Sequence, residues 1–206
     1  AATLTLLGLI IGFSFSMAIS RYDQRKNFEE EEANAIGTAY VRAELLPAAD
    51  GARMRPLLRD YLDERIKFYV TRDEALLKDI GVRTAKLQNQ LWATVQAPAV
   101  AQPTPIHALV VVSINDVLNS QGYTQAAWWN RIPTAAWSLM GAMALCCNFL
   151  IGYGTRGKGG LKLLLVLPMV AAIAFLLIAD IDSPRRGIIH VAPQNLLSLA
   201  ESLKAP

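Results

Sequence analysis

Apolar positions fall into three nearly unbroken runs, with a long stretch of mixed periodicity between the first and the second. Residues 1–20 (AATLTLLGLIIGFSFSMAIS) and 132–153 (IPTAAWSLMGAMALCCNFLIGY) carry no charge, and 161–179 (LKLLLVLPMVAAIAFLLIA) carries only Lys162. A helix needs roughly 20 apolar residues to cross a bilayer core. The pattern therefore predicts transmembrane helices over 1–20, 132–153 and 161–180. The last two form a hairpin through the short loop 154–160, GTRGKGG. In lipid the backbone must satisfy its own hydrogen bonds, and helices do so. Residues 1–20 lack the basic segment of a signal peptide. That run is already apolar at its first residue, so upstream sequence, including a further membrane helix, is expected.

Between the runs, residues 21–131 read as a soluble helical domain. Residues 21–46 hold one glycine and no proline, so the first membrane helix is expected to continue as one long helix. Pro47 and the turn signal Asp50-Gly51 would end it. Glu29 to Glu32 point in different helical directions and read as a solvated segment that does not converge on one ion. Leu58, Leu62, Ile66 and Tyr69 form one helical stripe, and Leu76, Ile80, Leu87, Leu91 and Val95 a second. Thr71 to Glu74 fits a capping box between them. Arg59, Asp60, Asp63, Glu64, Arg65, Arg72, Asp73 and Lys78 read as solvated faces. A proline-bearing linker is expected over 97–105, with Thr104-Pro105 starting a helix to about Ser120 and His107 as a capping or packing residue. Tyr123, Trp128 and Trp129 suit an interfacial aromatic belt. The C-terminal segment, 181–206, contains one short amphipathic helix over 195–203, lying on the membrane or on the soluble domain.

Composition narrows the chemistry. The 206 residues are 53% hydrophobic and 18% charged, below the roughly 25% charged of soluble domains. Residues 21–131 hold 14 basic and 14 acidic residues. The net charge of +3 thus lies beside the membrane runs and forms no nucleic-acid face. Cys146 and Cys147 are adjacent within an apolar run, which suits neither a disulfide nor zinc. No phosphate loop, metal motif or nucleophile elbow occurs, and with two histidines the chain offers little for catalysis. No cofactor, metal or catalytic residue is expected.

Two constellations stand out. Gly8, Gly12, Ser16 and Ser20 recur every fourth residue, a stripe of small residues that lets helix backbones approach closely. It serves packing against the hairpin, a subunit interface or a narrow pore lining. Asp180, Asp182, Arg185 and Arg186 form a charged cluster at the membrane boundary, read as ion pairing that fixes a helix end or as a charged vestibule. Basic residues near membrane ends favour the cytoplasm. Arg21, Arg25, Lys26, Arg131, Arg185 and Arg186 outnumber Arg156, Lys158 and Lys162, so the soluble domain and C-terminus are expected to be cytoplasmic.

GFSFSMAISRYDQRKNFEEEEANAIGTAYVRAELLP, NDVLNSQGYTQAAWWNRIP and LIADIDSPRRGIIHVAPQNLLSL together resemble the bacterial bestrophin-like domain family. EEANAIGTAY and ADIDSPRRG are the most specific pieces, and the resemblance covers nearly the whole chain. It implies an all-α inner-membrane protein remotely akin to bestrophins, which are oligomeric anion channels with a cytosolic helical domain between their second and third membrane helices. Residues 3–20 would correspond to the pore-lining second helix, and Ile10, Ile11, Phe13 and Phe15 would supply an apolar ring beside the Gly8, Gly12 and Ser16 stripe. Bestrophin calcium-binding and aperture motifs have no residue-by-residue match.

Two functions follow. One is a homo-oligomeric ion channel or pore of the bacterial inner membrane, conducting anions. The other is a non-catalytic structural or regulatory subunit docking onto a larger membrane complex. The partners expected are the lipid bilayer and further copies of the chain, with no nucleic acid.

Overall fold

The computed structural model describes residues 2–154 and 161–204. Seven α-helices occur among the described residues: α1 (Ala2–Arg42), α2 (Ala48–Val70), α3 (Glu74–Ala101), α4 (Pro105–Trp129), α5 (Thr134–Gly154), α6 (Leu161–Asp182) and α7 (Gln194–Ser202). No strand occurs among them. Most of the expected loop 154–160 lies outside the described residues. The chain divides into two compact units. One comprises Ala1–Asp23 and Asn130–His190, the other Gln24–Trp129 and Val191–Pro206. α1 contributes its first part to one and the remainder to the other.

The first unit holds the start of α1 with α5 and α6, the helices of the three apolar runs. Ala18, Ile132, Ile178 and Ile181 form its buried cluster, flanked by Ile11, Phe15, Tyr22, Ala136 and Trp137. The Cys147 thiol donates to the Thr3 carbonyl oxygen at 3.3 Å. Large apolar side chains elsewhere face outward: Leu145 is 72% exposed, Phe149 74% and Leu176 70%. In water this would be an extensive apolar surface. These helices are long and apolar enough to cross a membrane, where such a surface suits lipid.

The second unit is a helical bundle made of the rest of α1 with α2, α3, α4 and α7. Its core includes Ile36, Met54, Leu58, Leu62, Ile80, Leu91, Ile114 and Val117. The two predicted stripes meet here, because the short 71–73 connection makes α2 and α3 neighbours.

Several boundaries differ from the sequence expectation. α1 ends at Arg42, followed by a 3₁₀ turn over Ala43–Leu45. Leu46 is extended, with φ −80° and ψ 160°, as the ring of Pro47 requires of its predecessor. Asp50 and Gly51 belong to the first turn of α2 and form no turn of their own. α3 runs through Pro98 to Ala101; the proline forfeits one bond near the helix end, and the linker shrinks to 102–104. Asp73, not Thr71, caps α3, its carboxylate accepting from the Ala75 and Leu76 amides at 2.8 and 3.5 Å. Thr104 does cap α4, its hydroxyl accepting from the His107 amide at 3.3 Å.

α4 continues past Ser120 to Trp129 because its second half also has a buried side. Trp128 is 3% exposed. Its ring lies 5.0 Å from that of Phe68 and 5.4 Å from that of Tyr69, so it is a core residue, not a belt residue. Tyr123 stacks on Phe28 at 5.9 Å. α7 rests on the second unit, with Leu196 fully buried and Arg59 donating to the Leu203 carbonyl oxygen at 2.9 Å.

Gly51 is needed for proximity. A Cβ there would stand 2.6 Å from the Ala43 carbonyl oxygen. Gly51→Ala is therefore expected to destabilise the fold by about 1–3 kcal/mol through overpacking, although alanine is the better helix former. Equilibrium unfolding in detergent measures this, and an unchanged or raised midpoint would mean the contact imposes no constraint.

Candidate functional site

In the first unit α1 has two unlike sides. Leu7, Ile11, Phe15, Ala18 and Tyr22 follow helical spacing. Leu7 and Ala18 are buried, and Ile11, Phe15 and Tyr22 pack on the cluster that holds Ala18, Ile132, Ile178 and Ile181. The other side carries Leu9, Phe13, Ser16, Met17 and Ser20, all exposed, with Phe13 at 64%. Gly8 and Gly12 are also exposed, and a Cβ on either would meet nothing within 4 Å. The hairpin therefore does not occupy the small-residue stripe. The four apolar residues of the expected ring separate: Ile11 and Phe15 turn to the hairpin, Ile10 is half-buried, and Phe13 alone is fully on the open side.

The boundary carboxylates serve backbone. Asp182 accepts from the Ile132 amide, 3.1 Å from each oxygen, and from the Arg21 guanidinium at 3.3 Å. It thereby ties the end of α6 to α1 and to the start of the α5 segment. Asp180 accepts from the Ile188 and Ile189 amides at 2.7 and 2.8 Å. Gly187 is required beneath it, since a Cβ there would collide with the Asp180 carbonyl oxygen. Arg185 is half-buried and Arg186 exposed.

In the second unit the acidic block divides. Glu30 and Glu31 are exposed, whereas Glu29 is 1% and Glu32 0% exposed. Glu29 caps α7 from another helix, accepting from the Asn195 side chain at 2.6 Å and the Leu196 amide at 2.9 Å. Glu32 accepts from the Arg65 guanidinium through Nε and Nη2, and from the Tyr69 and Thr124 hydroxyls at 3.2 Å each. Arg65 is 1% exposed and lies 4.3 Å over the Phe68 ring. Burial pushes its pKa down, but the Glu32 charge and hydrogen bond together with the Tyr61 and Tyr69 phenols outweigh this and hold it above its ordinary value. Burial, and then the Glu32 charge, push the Tyr61 and Tyr69 phenols well up, so both remain protonated. Glu64 lies at the surface end of α2's polar side, bonded to Lys67 and Arg83 at 2.8 Å each. Burial raises its pKa, and these two partners outweigh it, so the net shift is downward.

The expectation of solvated faces thus fails at Glu29, Glu32, Glu64 and Arg65. A signal was present in the sequence. Arg25, Glu29, Glu32, Ile36, Ala39 and Ala43 follow alternating steps of four and three, so the charges share one helical stripe with core residues. All six are buried.

Two outcomes are expected. Glu32→Gln leaves Arg65 an uncompensated buried charge and destabilises by about 3–5 kcal/mol, whereas Glu32→Leu with Arg65→Met recovers most of that loss; unfolding midpoints of the parent and the two variants decide it. For Glu64, the lowered folded-state pKa means its contribution is present at neutral pH and is lost on acidification below about pH 4. Glu64→Gln should flatten that limb of the stability profile, modestly, because Lys67 and Arg83 are half-exposed.

The fold defines an all-α membrane protein with, among the described residues, three helices long and apolar enough to cross a membrane and a helical unit between the first and the second. The model of the Bestrophin-like domain family matches residues 2–196, and the chain belongs to that family. Solved structures agree. A single-substitution variant of a bacterial bestrophin homolog from Klebsiella pneumoniae aligns with TM-score 0.76 at 13% identity, covering 98% of this chain and 84% of that one. A second variant gives 0.73 at 13%, covering 98% and 81%. The same homolog solved by zinc phasing gives 0.71 at 14%, covering 97% and 86%. At such identity the likeness speaks for the fold. No curated protein matches the chain.

Proposed function

We propose that the chain is one subunit of an oligomeric bestrophin-like channel of the bacterial inner membrane, conducting anions, with α1 of each copy lining the pore. The observation that carries this reading is the open side of α1. It combines Phe13, fully on that side, with Gly8, Gly12, Ser16 and Ser20, and the chain's own hairpin leaves it uncovered. Hydroxyls and exposed backbone suit a wetted path, and a phenylalanine ring suits a constriction that gates by dewetting. Closing the ring also covers the close-approach surface that glycines and serines provide. The basic residues flanking the soluble domain support its cytoplasmic placement.

The docking-subunit reading calls for an unpartnered apolar stripe over residues 58–95. Leu58, Leu62, Ile80, Leu91 and Val95 are buried within their own bundle, while Val70, Leu76, Val82 and Trp92 are exposed; most of the stripe is therefore partnered within the chain, which favours the channel. The reading also needs no catalytic group.

The test is reconstitution of the purified particle. A closed ring of several copies, with anion flux from proteoliposomes, is expected. Phe13→Ala should raise that flux several-fold, whereas Leu176→Ala on α6, 70% exposed, should leave it unchanged. A monomeric particle, or flux indifferent to Phe13, would sink the proposal.

A further inference from the structure

The second unit contains a cavity of about 360 Å³ where the C-terminal end of α3 meets the starts of α2 and α4. Pro47, Ala97 and Pro98 give it apolar walls, and Asp50, Gln102 and His107 give it polar ones. It shares no residue with the open side of α1.

The polar groups are fixed in an informative way. His107 is 8% exposed. Its Nδ1 lies 2.7 Å from the Gln102 carbonyl oxygen and 3.1 Å from the Thr104 hydroxyl, which can accept as well as donate. A carbonyl only accepts, so Nδ1 carries the hydrogen, and the neutral ring then presents Nε2 as a bare acceptor. Nε2 has no hydrogen-bond partner among the described residues. Asp50 is similarly half-used: Oδ1 accepts from Arg53 at 2.7 Å, and Oδ2 has no partner among the described residues. The cavity thus offers two unused acceptors, one of them on a carboxylate. The last carbonyls of α3, at the negative end of a 28-residue helix, add to the same sign. The starts of α2 and α4 have the opposite sign: Thr104 caps α4, and α2, which no side chain caps at Pro47, has the Asp50 carboxylate in its first turn.

We propose that this cavity binds a small aliphatic ammonium ligand. Its charged head would donate to Asp50 and to His107 Nε2, and its hydrocarbon body would lie against Pro47, Ala97 and Pro98. The volume is at the small end of ligand sites. A metal ion fits less well, since no group of three His, Cys, Asp or Glu side chains converges among the described residues. An anion is disfavoured by the two acceptors, one of which is the Asp50 carboxylate.

The experiment uses the full chain in detergent, labelled with ¹⁵N-histidine in a His190→Gln background, so that His107 is the one histidine observed. n-Butylammonium is titrated against n-butanol, which has the same chain without the charge. A saturable shift of the Nε2 resonance is expected with the amine and not with the alcohol. Asp50→Asn should raise the dissociation constant about tenfold or more, as loss of a charge-assisted hydrogen bond does. Ala101→Leu, which fills the cavity and leaves its polar groups intact, should abolish the shift. The proposal is overturned if Nε2 does not move, if butanol moves it equally, or if either variant keeps the parental constant.

Discussion

A carboxylate with no solvent exposure must have its lone pairs satisfied by the protein, and Glu32 fixes the second unit by that requirement. Its donors come from α2 and α4, so α1 has one rotation about its axis at which Arg65, Tyr69 and Thr124 all reach it. Apolar packing alone is more permissive, because cores tolerate shifted arrangements of similar volume. The Glu32–Arg65 pair is therefore weak as a source of stability and strong as a source of register. Phe68 and Trp128 complete the enclosure: one ring lies against the guanidinium, and both exclude the water that would screen the pair.

The same helix meets opposite demands along its length. Ala18, Arg25, Glu32 and Ala39 are all buried and recur every seventh residue. One helical side is thus inward throughout, while its chemistry changes from apolar to charged and back to apolar. In the apolar run, α1 packs inward through Leu7, Ile11, Phe15, Ala18 and Tyr22 and shows Leu9, Phe13 and Met17 outward beside its small residues. Where the surroundings are aqueous, the order inverts, and Glu30 and Glu31 point out. The composition of this helix is compatible with no single solvent.

That inversion separates what was legible in the sequence from what was not. Apolar runs of spanning length mark the bilayer segments directly, since no other environment accepts them. The stripes of α2 and α3 are equally plain, because Leu58 and Ile80 have neighbours at helical spacing. Buried charge was not legible through composition. Glu32 and Glu31 are chemically identical, and the direction of the side chain separates them. Direction becomes readable when Glu32 is counted with Ile36 and Ala39. Helix ends were misjudged where tertiary contacts override local signals: Trp128 carries α4 onward by packing against Phe68, and Gly51 sits in α2 because Ala43 approaches it. In the candidate site, the stripe of Gly8, Gly12, Ser16 and Ser20 was visible. Its openness was not, since spacing alone does not tell which side of a helix the hairpin takes.

Glycine inside a helix costs about 1 kcal/mol relative to alanine. At Gly51, inside α2, the structure shows the return, because the Ala43 carbonyl oxygen occupies the space that a side chain would need. At Gly8 and Gly12 nothing in the chain approaches. Neither residue is at a helix end, and neither relieves a clash. Hydrophobic burial cannot account for them either, since in lipid an exposed alanine or leucine serves as well as glycine. What glycine offers in that position is access, to a helix backbone from another subunit or to permeating water and ions. Ser16 and Ser20 extend the same side with hydroxyls that lipid would not favour. On the proposed channel reading, a helix side that gives up intrinsic helical stability and lipid compatibility together would be covered by neighbouring copies.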